Sequence, residues 1–466
     1  MRELLADTAA AAADFFDGLD GRPVGAAATL EELRASLDLD LNDDPLDASC
    51  VLNDLLRAAD PGVVAMASGR YFGFVIGSVL PAALAADWMT SAWDQNAGIY
   101  AGGPAAAVVE ETAGLWLKDL LHLPPGASCA LVTGCQMAHF TALAAARLHV
   151  LEHAGWDVNE NGLSAAPPIR VIVGADRHIT VDRALRYLGI GRRAIVPVAT
   201  DVEGQMIPSA LAEALSEGSG PTIVCAQVGE VNTGGIDPVG EVSEIGHRAG
   251  AWVHVDGAFG MWAAASPTLR PLVDGIELAD SWATDAHKWL NVPYDSGLAF
   301  CAHPASHRRA MSVHADYLVH ADELSGPRDQ IDWTPEFSRR ARGFPIYAAL
   351  RSLGRRGVAA LVDTSCAHAR RLASALAEID GVEVMNNVRL NQILVRFGDD
   401  DAQTETVLRR VQEDGECWMS GTTWRGCAAM RISVANWRTD DEDIERTLAA
   451  IARARSQTVT TGRPLT

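Results

Sequence analysis

Residues Trp252–Ser266 read WVHVDGAFGMWAAAS, and residues Ala279–Gly297 read ADSWATDAHKWLNVPYDSG. Each contains a short apolar run, Trp252–Asp256 in the first and Ser281–Thr284 in the second. These runs are too short for helices and are continuous rather than alternating, as expected of strands buried on both faces of a sheet. Outward from them, further candidate strands lie at Ala130–Thr133, Val171–Ala175, Ala194–Val198, Thr222–Val228 and Leu298–Cys301. Segments with helical spacing separate most of them, at Met137–Val150, Val181–Leu188, Ser209–Leu215 and Val242–Ala249. That alternation predicts an α/β fold with an open, largely parallel sheet covered by helices on both sides. Upstream, Pro81–Asn96 and Val108–Leu121 read as helices, the first with proline suited to its opening position. After Pro345 a long helical stretch leads to a smaller α+β region. Its strands are expected at Val382–Met385, Gln392–Phe397 and Met430–Val434, and its helices at Glu405–Gln412 and Glu442–Ala454.

Composition bounds the function. The chain has 466 residues and a formal net charge of −22, with acidic residues scattered throughout. This argues against nucleic acid or an anionic membrane as a partner. No apolar run is long enough to span a bilayer, and the opening MRELLADTAAAAADFF lacks the basic and apolar regions of a signal peptide. The eight cysteines are widely spread and form no C-x-x-C pair, so a cytoplasmic protein without a metal site is expected. H-E-x-x-H, G-x-S-x-G and P-loop motifs are all missing.

The chemistry lies at the ends of the two opening strands. Asp256 closes one and Lys288 stands just beyond the other. Ligands of open α/β sheets collect beyond the carboxyl ends of strands, so both side chains are expected in one crevice. A lysine amine can form a Schiff base with an aldehyde cofactor. A carboxylate facing a pyridine nitrogen keeps that nitrogen protonated and the ring electron-withdrawing. The pair therefore points to pyridoxal 5′-phosphate (PLP), held as an imine on Lys288. Two further segments support it. In VTGCQMAHFTALAAAR (Val132–Arg147), a strand, Gly134 and a helix opening near Gln136 make an anion site for a phosphate. In GADRHITVDRALRYLG (Gly174–Gly189), His178 follows a strand, where its ring could stack on an aromatic cofactor. Taken singly, each is an ordinary cap, joint or loop residue; their shared order carries the reading.

With Arg70–Trp88 (RYFGFVIGSVLPAALAADW), Gly102–Ala106 (GGPAA) and Glu230–Val242 (EVNTGGIDPVGEV), these segments resemble the group II PLP-dependent amino-acid decarboxylases, which include the aromatic-amino-acid and glutamate decarboxylases. The resemblance runs from about Arg70 to Ala450. It implies fold type I of the PLP-dependent transferases, with a seven-stranded-type sheet. The large PLP domain would cover residues 101–340 and a small C-terminal domain 341–466, while an N-terminal segment, 1–100, would wrap a partner subunit. It further implies a homodimer with active sites at the subunit interface and a small-molecule L-amino acid as substrate. Residue by residue, Lys288 would carry the imine, Asp256 would pair with the ring nitrogen, and His178 would stack on the ring and assist protonation. Gly134, Cys135, Gln136 and His287 would sit at the phosphate, and Ala258 against the other ring face.

The pattern is broken in three places. Cys135-Gln136 replaces the family's small residue and Ser, so one hydroxyl donor is missing. Asp285 stands where the family often has Asn, and is expected to face away from the phosphate. Counting back from Ser338–Phe344 (SRRARGF), the loop tyrosine that protonates the carbon after CO₂ leaves is matched by Gln330, which cannot act as an acid. Trp333 realigned, Tyr317, Tyr100 or His178 could serve instead. The expected reaction is thus α-decarboxylation to amine and CO₂, with aminotransfer or oxidative deamination to an aldehyde as alternatives; a scaffold without turnover is disfavoured by retention of Lys288 and Asp256. Arg70 and Arg431 are candidates for a substrate carboxylate, Tyr71, Phe72, Trp93 and Tyr100 for an aromatic pocket, and Trp88, Trp93 and Trp116 for core or dimer interface. Lys288→Ala should abolish normal turnover, and Asp256→Ala should keep the cofactor bound while turnover falls severely. Steady-state kinetics of the two variants check this; unimpaired rates contradict the assignments.

Overall fold

The computed structural model describes residues 1–312 and 327–461, the last three of these as backbone only. Contacts divide the chain into two compact units. One comprises Val79–Arg370 with Asn386–Ile393; the other comprises Met1–Ser78, Arg371–Met385 and Leu394–Thr466. Residues 1–78 thus group with the C-terminal segments, a different partition from divisions at 100 and 340.

The larger unit is built on seven strands: β1 (Ser128–Val132), β2 (Arg170–Gly174), β3 (Ile195–Val198), β4 (Thr222–Gln227), β5 (Trp252–Asp256), β6 (Ser281–Asp285) and β7 (Gly297–Cys301). Their order is β1-β7-β6-β5-β4-β2-β3. Neighbours from β6 to β3 pair in parallel, and β7 runs antiparallel to both β6 and β1. The expected mostly parallel sheet is therefore present, with one reversed strand. β1, β4, β5, β6 and β7 are buried along their whole length, which is why their sequences run apolar without alternation. Helices Cys135–His153 and Ile179–Tyr187 pack Leu143, Leu148, Leu151, Val181 and Leu185 against Val171, Val173, Ile223 and Trp252.

Register sets the functional edge. Gln227 lies opposite Asp256, Asp256 opposite Ala283, Asp285 opposite Gly297, and Val132 opposite Gly297. The carboxyl ends of β1, β4, β5 and β6 and the amino end of the reversed β7 therefore line up. The helix Gly343–Ala377 is interrupted at Gly354, whose φ of 60° and ψ of 178° are not helical.

In the smaller unit the order is β10-β11-β9-β8, with β8 at Val382–Val384, β9 at Gln392–Phe397, β10 at Ser420–Trp424 and β11 at Cys427–Ser433. β10 pairs with β11 through a two-residue turn at Arg425 and Gly426, both at positive φ. Its sequence, SGTTW, carries one large apolar residue and no Asn-Gly or Asp-Gly turn, so the usual hairpin signal is missing. Arg70 is tied here by Glu416 and by the carbonyls of Leu19 and Asp20, a structural role. Trp88 and Trp93, 43% and 50% exposed, are not core residues.

Arg339 of the SRRARG segment makes a bidentate pair with Glu110 at 2.7 and 3.0 Å, and also donates to the carbonyls of Leu131 and Ala97. Both charged groups are buried. The pair ties helix Pro104–Leu120 and the end of β1 to the chain just after Gln330. Removing one member strands the other charge in the interior. Glu110→Gln should cost about 3–5 kcal/mol of stability, read as a lowered denaturation midpoint; a loss below about 1 kcal/mol would show that the arginine finds other compensation.

Candidate active site

The larger unit gathers the expected residues at the aligned strand ends. Asp256, 4% exposed, closes β5. Its Oδ1 accepts from the Ala258 backbone N–H at 3.2 Å and lies 3.4 Å from His139 Nε2. Burial by itself would raise this carboxyl. The His139, His178 and Lys288 side chains outweigh burial and hold it well below the usual carboxylate range. Asp256 is thus an anion at any ordinary pH.

Lys288 follows β6, its side chain mostly buried, with Nζ 3.1 Å from Asp285 Oδ2. Burial works against its ammonium form, but Asp285, then Cys135 and Asp256, raise its pKa above the ordinary lysine value. Ala258 packs with Cys135, Ala138 and Ala283 in an apolar cluster that Trp333 joins. His178 caps helix Ile179–Tyr187, with Nδ1 2.7 Å from Thr180 Oγ1. Its backbone N–H donates to Gln227 Oε1 at 3.0 Å. Gln227 is itself held by Asp237, which accepts from the Gln227 and Met206 backbones and is pushed up to about 7 by burial. The EVNTGGIDP segment therefore acts on the site through Asp237, a link that no residue spacing discloses.

The Gly134–Gln136 turn is where expectation and structure part. Helix Cys135–His153 begins directly after Gly134, as the anion-site reading requires. Asp285, however, faces the turn instead of turning away. Its Oδ1 accepts from the Cys135 N–H at 2.6 Å, and it is 3% exposed. The expectation that it faces elsewhere is corrected: β6 ends opposite the turn, so a side chain on its last residue is delivered there. Gln136 donates through Nε2 to the Thr180 carbonyl at 3.3 Å and leaves Oε1 buried and unpartnered among the described residues. His287 Nδ1 lies 3.0 Å from the Ser296 carbonyl, its ring against Tyr294 with centroids 4.5 Å apart; burial lowers its pKa.

Two neighbours went unnoticed in the sequence. A Cβ at Gly297 would collide with the Gly134 backbone, so the turn and β7 meet only because position 297 is glycine. Ser296, next to it, carries a buried hydroxyl without a partner among the described residues. At Gly134, by contrast, a Cβ would meet nothing closer than 3.7 Å, so its freedom is not what the site exploits.

Gln330 opens a short 3₁₀ turn, Gln330–Asp332, and is 1% exposed. Neither of its amide atoms has a hydrogen-bond partner among the described residues. The Tyr100 backbone donates to Asp329 Oδ1 at 2.7 Å, close to this turn, and the Arg328 guanidinium lies over Trp333. Tyr317 lies outside the described residues.

Comparison with known proteins gives the family and the fold. The pyridoxal-dependent decarboxylase conserved domain matches residues 31–397. An aromatic-L-amino-acid decarboxylase of Bacillus atrophaeus is 25% identical over 92% of this chain and 90% of its own length. A 4-hydroxyphenylacetaldehyde synthase of Rhodiola rosea is 24% identical over 85% of this chain and 82% of its own. Among solved structures, Oryza sativa TDC with PLP and tryptamine superposes with a TM-score of 0.91 at 23% identity, covering 98% of this chain and 97% of that one. The chain belongs to the pyridoxal-dependent decarboxylase family.

Proposed function

We propose that Lys288 carries the PLP of this decarboxylase and that the α-carboxylate of an L-amino acid leaves as CO₂, giving the amine. One observation carries the reading: Lys288 and the buried Asp256 carboxyl stand together at the strand edge that also holds the Gly134–Gln136 turn. When bound, the cofactor supplies an electron-withdrawing ring that accepts electrons from a breaking bond at the substrate α-carbon. Asp256 keeps the ring nitrogen protonated by presenting a negative charge that burial alone would not sustain. His178, held by Gln227 and Thr180, would lie against one face of the ring and Ala258 against the other. His287 and the first N–H groups of helix Cys135–His153 receive the phosphate, and the unpartnered Ser296 hydroxyl is available as a further donor.

These residues fit the cofactor, with one opposing group. Asp285 already accepts from the Cys135 N–H that a phosphate would use, and it carries the same sign of charge. At a few ångströms, such repulsion is worth a few kcal/mol in a partly buried site. Asp285→Asn should therefore bind PLP about tenfold more tightly or better, measured by equilibrium titration of the apoenzyme; equal or weaker binding would show that Asp285 assists the phosphate.

Exposed apolar residues support a homodimer. Helix Ala48–Ala59 has no buried residue and exposes Val51, Leu55 and Leu56, while helix Pro81–Trp93 exposes Trp88, Met89 and Trp93. We assign these to a partner subunit wrapped by the N-terminal segment, with the active sites at that interface. Among the described residues no helix is long and apolar enough to cross a membrane. All eight cysteines are free, in keeping with a reducing cytoplasm.

Gln330 motivates a second reading. It is buried, unpartnered among the described residues and unable to give a proton. With no proton delivered there, the substrate would instead be oxidised by O₂ with uptake of water, releasing aldehyde, ammonia, CO₂ and hydrogen peroxide. PLP-loaded protein should be screened against the proteinogenic amino acids with CO₂, amine, aldehyde and O₂ all measured. We expect one equivalent of amine per CO₂ and no oxygen uptake. Aldehyde with oxygen consumption would assign the oxidative reaction, and a 2-oxo acid without CO₂ would assign aminotransfer.

A further inference from the structure

Four side chains link Asp256 to the far end of the sheet. Trp252 Nε1 donates to Ser281 Oγ at 2.9 Å, and Ser281 Oγ lies 2.9 Å from His254 Nδ1. His254 Nε2 is 2.9 Å from His139 Nδ1, and His139 Nε2 is 3.4 Å from Asp256 Oδ1. His139, His254 and Ser281 are 0% exposed, so bulk water does not compete for these bonds. Trp252 and Ser281 sit at the starts of β5 and β6, whereas Asp256 ends β5. The chain therefore runs the length of a strand.

Its direction follows from what each group can do. An indole nitrogen only donates, and an ionised carboxylate only accepts. The Ser281 hydroxyl accepts from Trp252, and among the described residues His254 Nδ1 is the one acceptor within reach of its proton. A neutral imidazole that accepts at Nδ1 carries its proton on Nε2. Burial, followed by His139, pushes His254 down to about 3, so that ring is neutral. His254 thus donates to His139 Nδ1, and His139 in turn presents its own proton at Nε2 to Asp256. Cys135 Sγ is also 3.4 Å from His139 Nε2, but burial keeps that thiol protonated, so it adds no competing charge. Asp256 Oδ1 then receives two donors, His139 and the Ala258 N–H, while Oδ2 has no protein partner among the described residues.

We propose that His139 is a positioning residue for Asp256, and that His254, Ser281 and Trp252 form a one-way hydrogen-bond relay that sets its tautomer. The relay orients the carboxylate, directs a donor at Oδ1, and leaves Oδ2 for the cofactor nitrogen. The last of these rests on the role proposed above for Asp256.

The first test uses wild-type holoenzyme with ¹⁵N-labelled histidine, its resonances assigned by His139→Asn and His254→Asn. The relay requires the Nε2–H tautomer at both positions. An Nδ1–H tautomer or a doubly protonated ring at either one overturns it, whatever the cofactor does. The second test uses Ser281→Ala, which removes the donor to His254, with cofactor labelled at the ring nitrogen. The expected result is retained cofactor, a ring-nitrogen resonance shifted toward its unprotonated position, and kcat roughly 10- to 100-fold lower, the size of effect typical of groups that orient a functional side chain. An unchanged resonance and unchanged kcat would confine the chain to packing. If Ser281→Ala does not fold, the wild-type tautomers still decide the question. A wild-type protein that takes up no PLP would remove the function proposed above but leave the tautomer result standing.

Discussion

A carboxylate taken out of water costs several kcal/mol unless charges and donors replace its hydration. Asp256 is such a group, closing a strand that is buried along its whole length. Much of the nearby architecture answers that cost. The Ala258 backbone turns back to donate, His139 reaches across from helix Cys135–His153, and the cationic side chain of Lys288 stands nearby. Each comes from a different element. The charge can persist only when the sheet register, the helix start and the β6 exit are all in place, so the chemistry and the fold depend on one condition.

A second carboxylate a short distance away is set differently. Asp285 pairs directly with Lys288 and with the N–H that opens a helix. Asp256 keeps Oδ2 without a protein partner among the described residues, whereas both Asp285 oxygens meet protein groups. Two chemically identical side chains thus differ in what they can offer a ligand, because one ends a strand beneath a histidine chain and the other ends a strand opposite a helix N-terminus.

The outer shell shows the same economy at longer range. Asp237 fixes Gln227, and Gln227 fixes the backbone of His178, so the turn before helix Val239–Arg248 aims an imidazole that it never touches. Arg339 and Glu110 join the end of β1 to the segment after Gln330. These links lie between residues far apart in the chain, and each is buried where an unmatched charge or amide would be costly.

All seven strands of the large sheet could be read in the sequence: burial on both faces demands continuous apolar runs in the five that are buried throughout, and the intervening helices carry their own period. The Lys288–Asp256 pair was legible for a related reason: strand ends in such a sheet collect ligands, and that residue combination serves one kind of cofactor. β10 was not legible, since a short polar strand is stabilised by its pairing with β11 rather than by its own residues. Nor could spacing reveal the orientation of Asp285, the need for glycine at position 297, or the file from Trp252 to His139. The sequence by itself determined the sheet, the cofactor and the residues at its strand ends, because these follow from local periodicity and side-chain chemistry. Only the tertiary structure decided which oxygen meets which proton, because those contacts depend on strand register and helix placement, which no local pattern encodes.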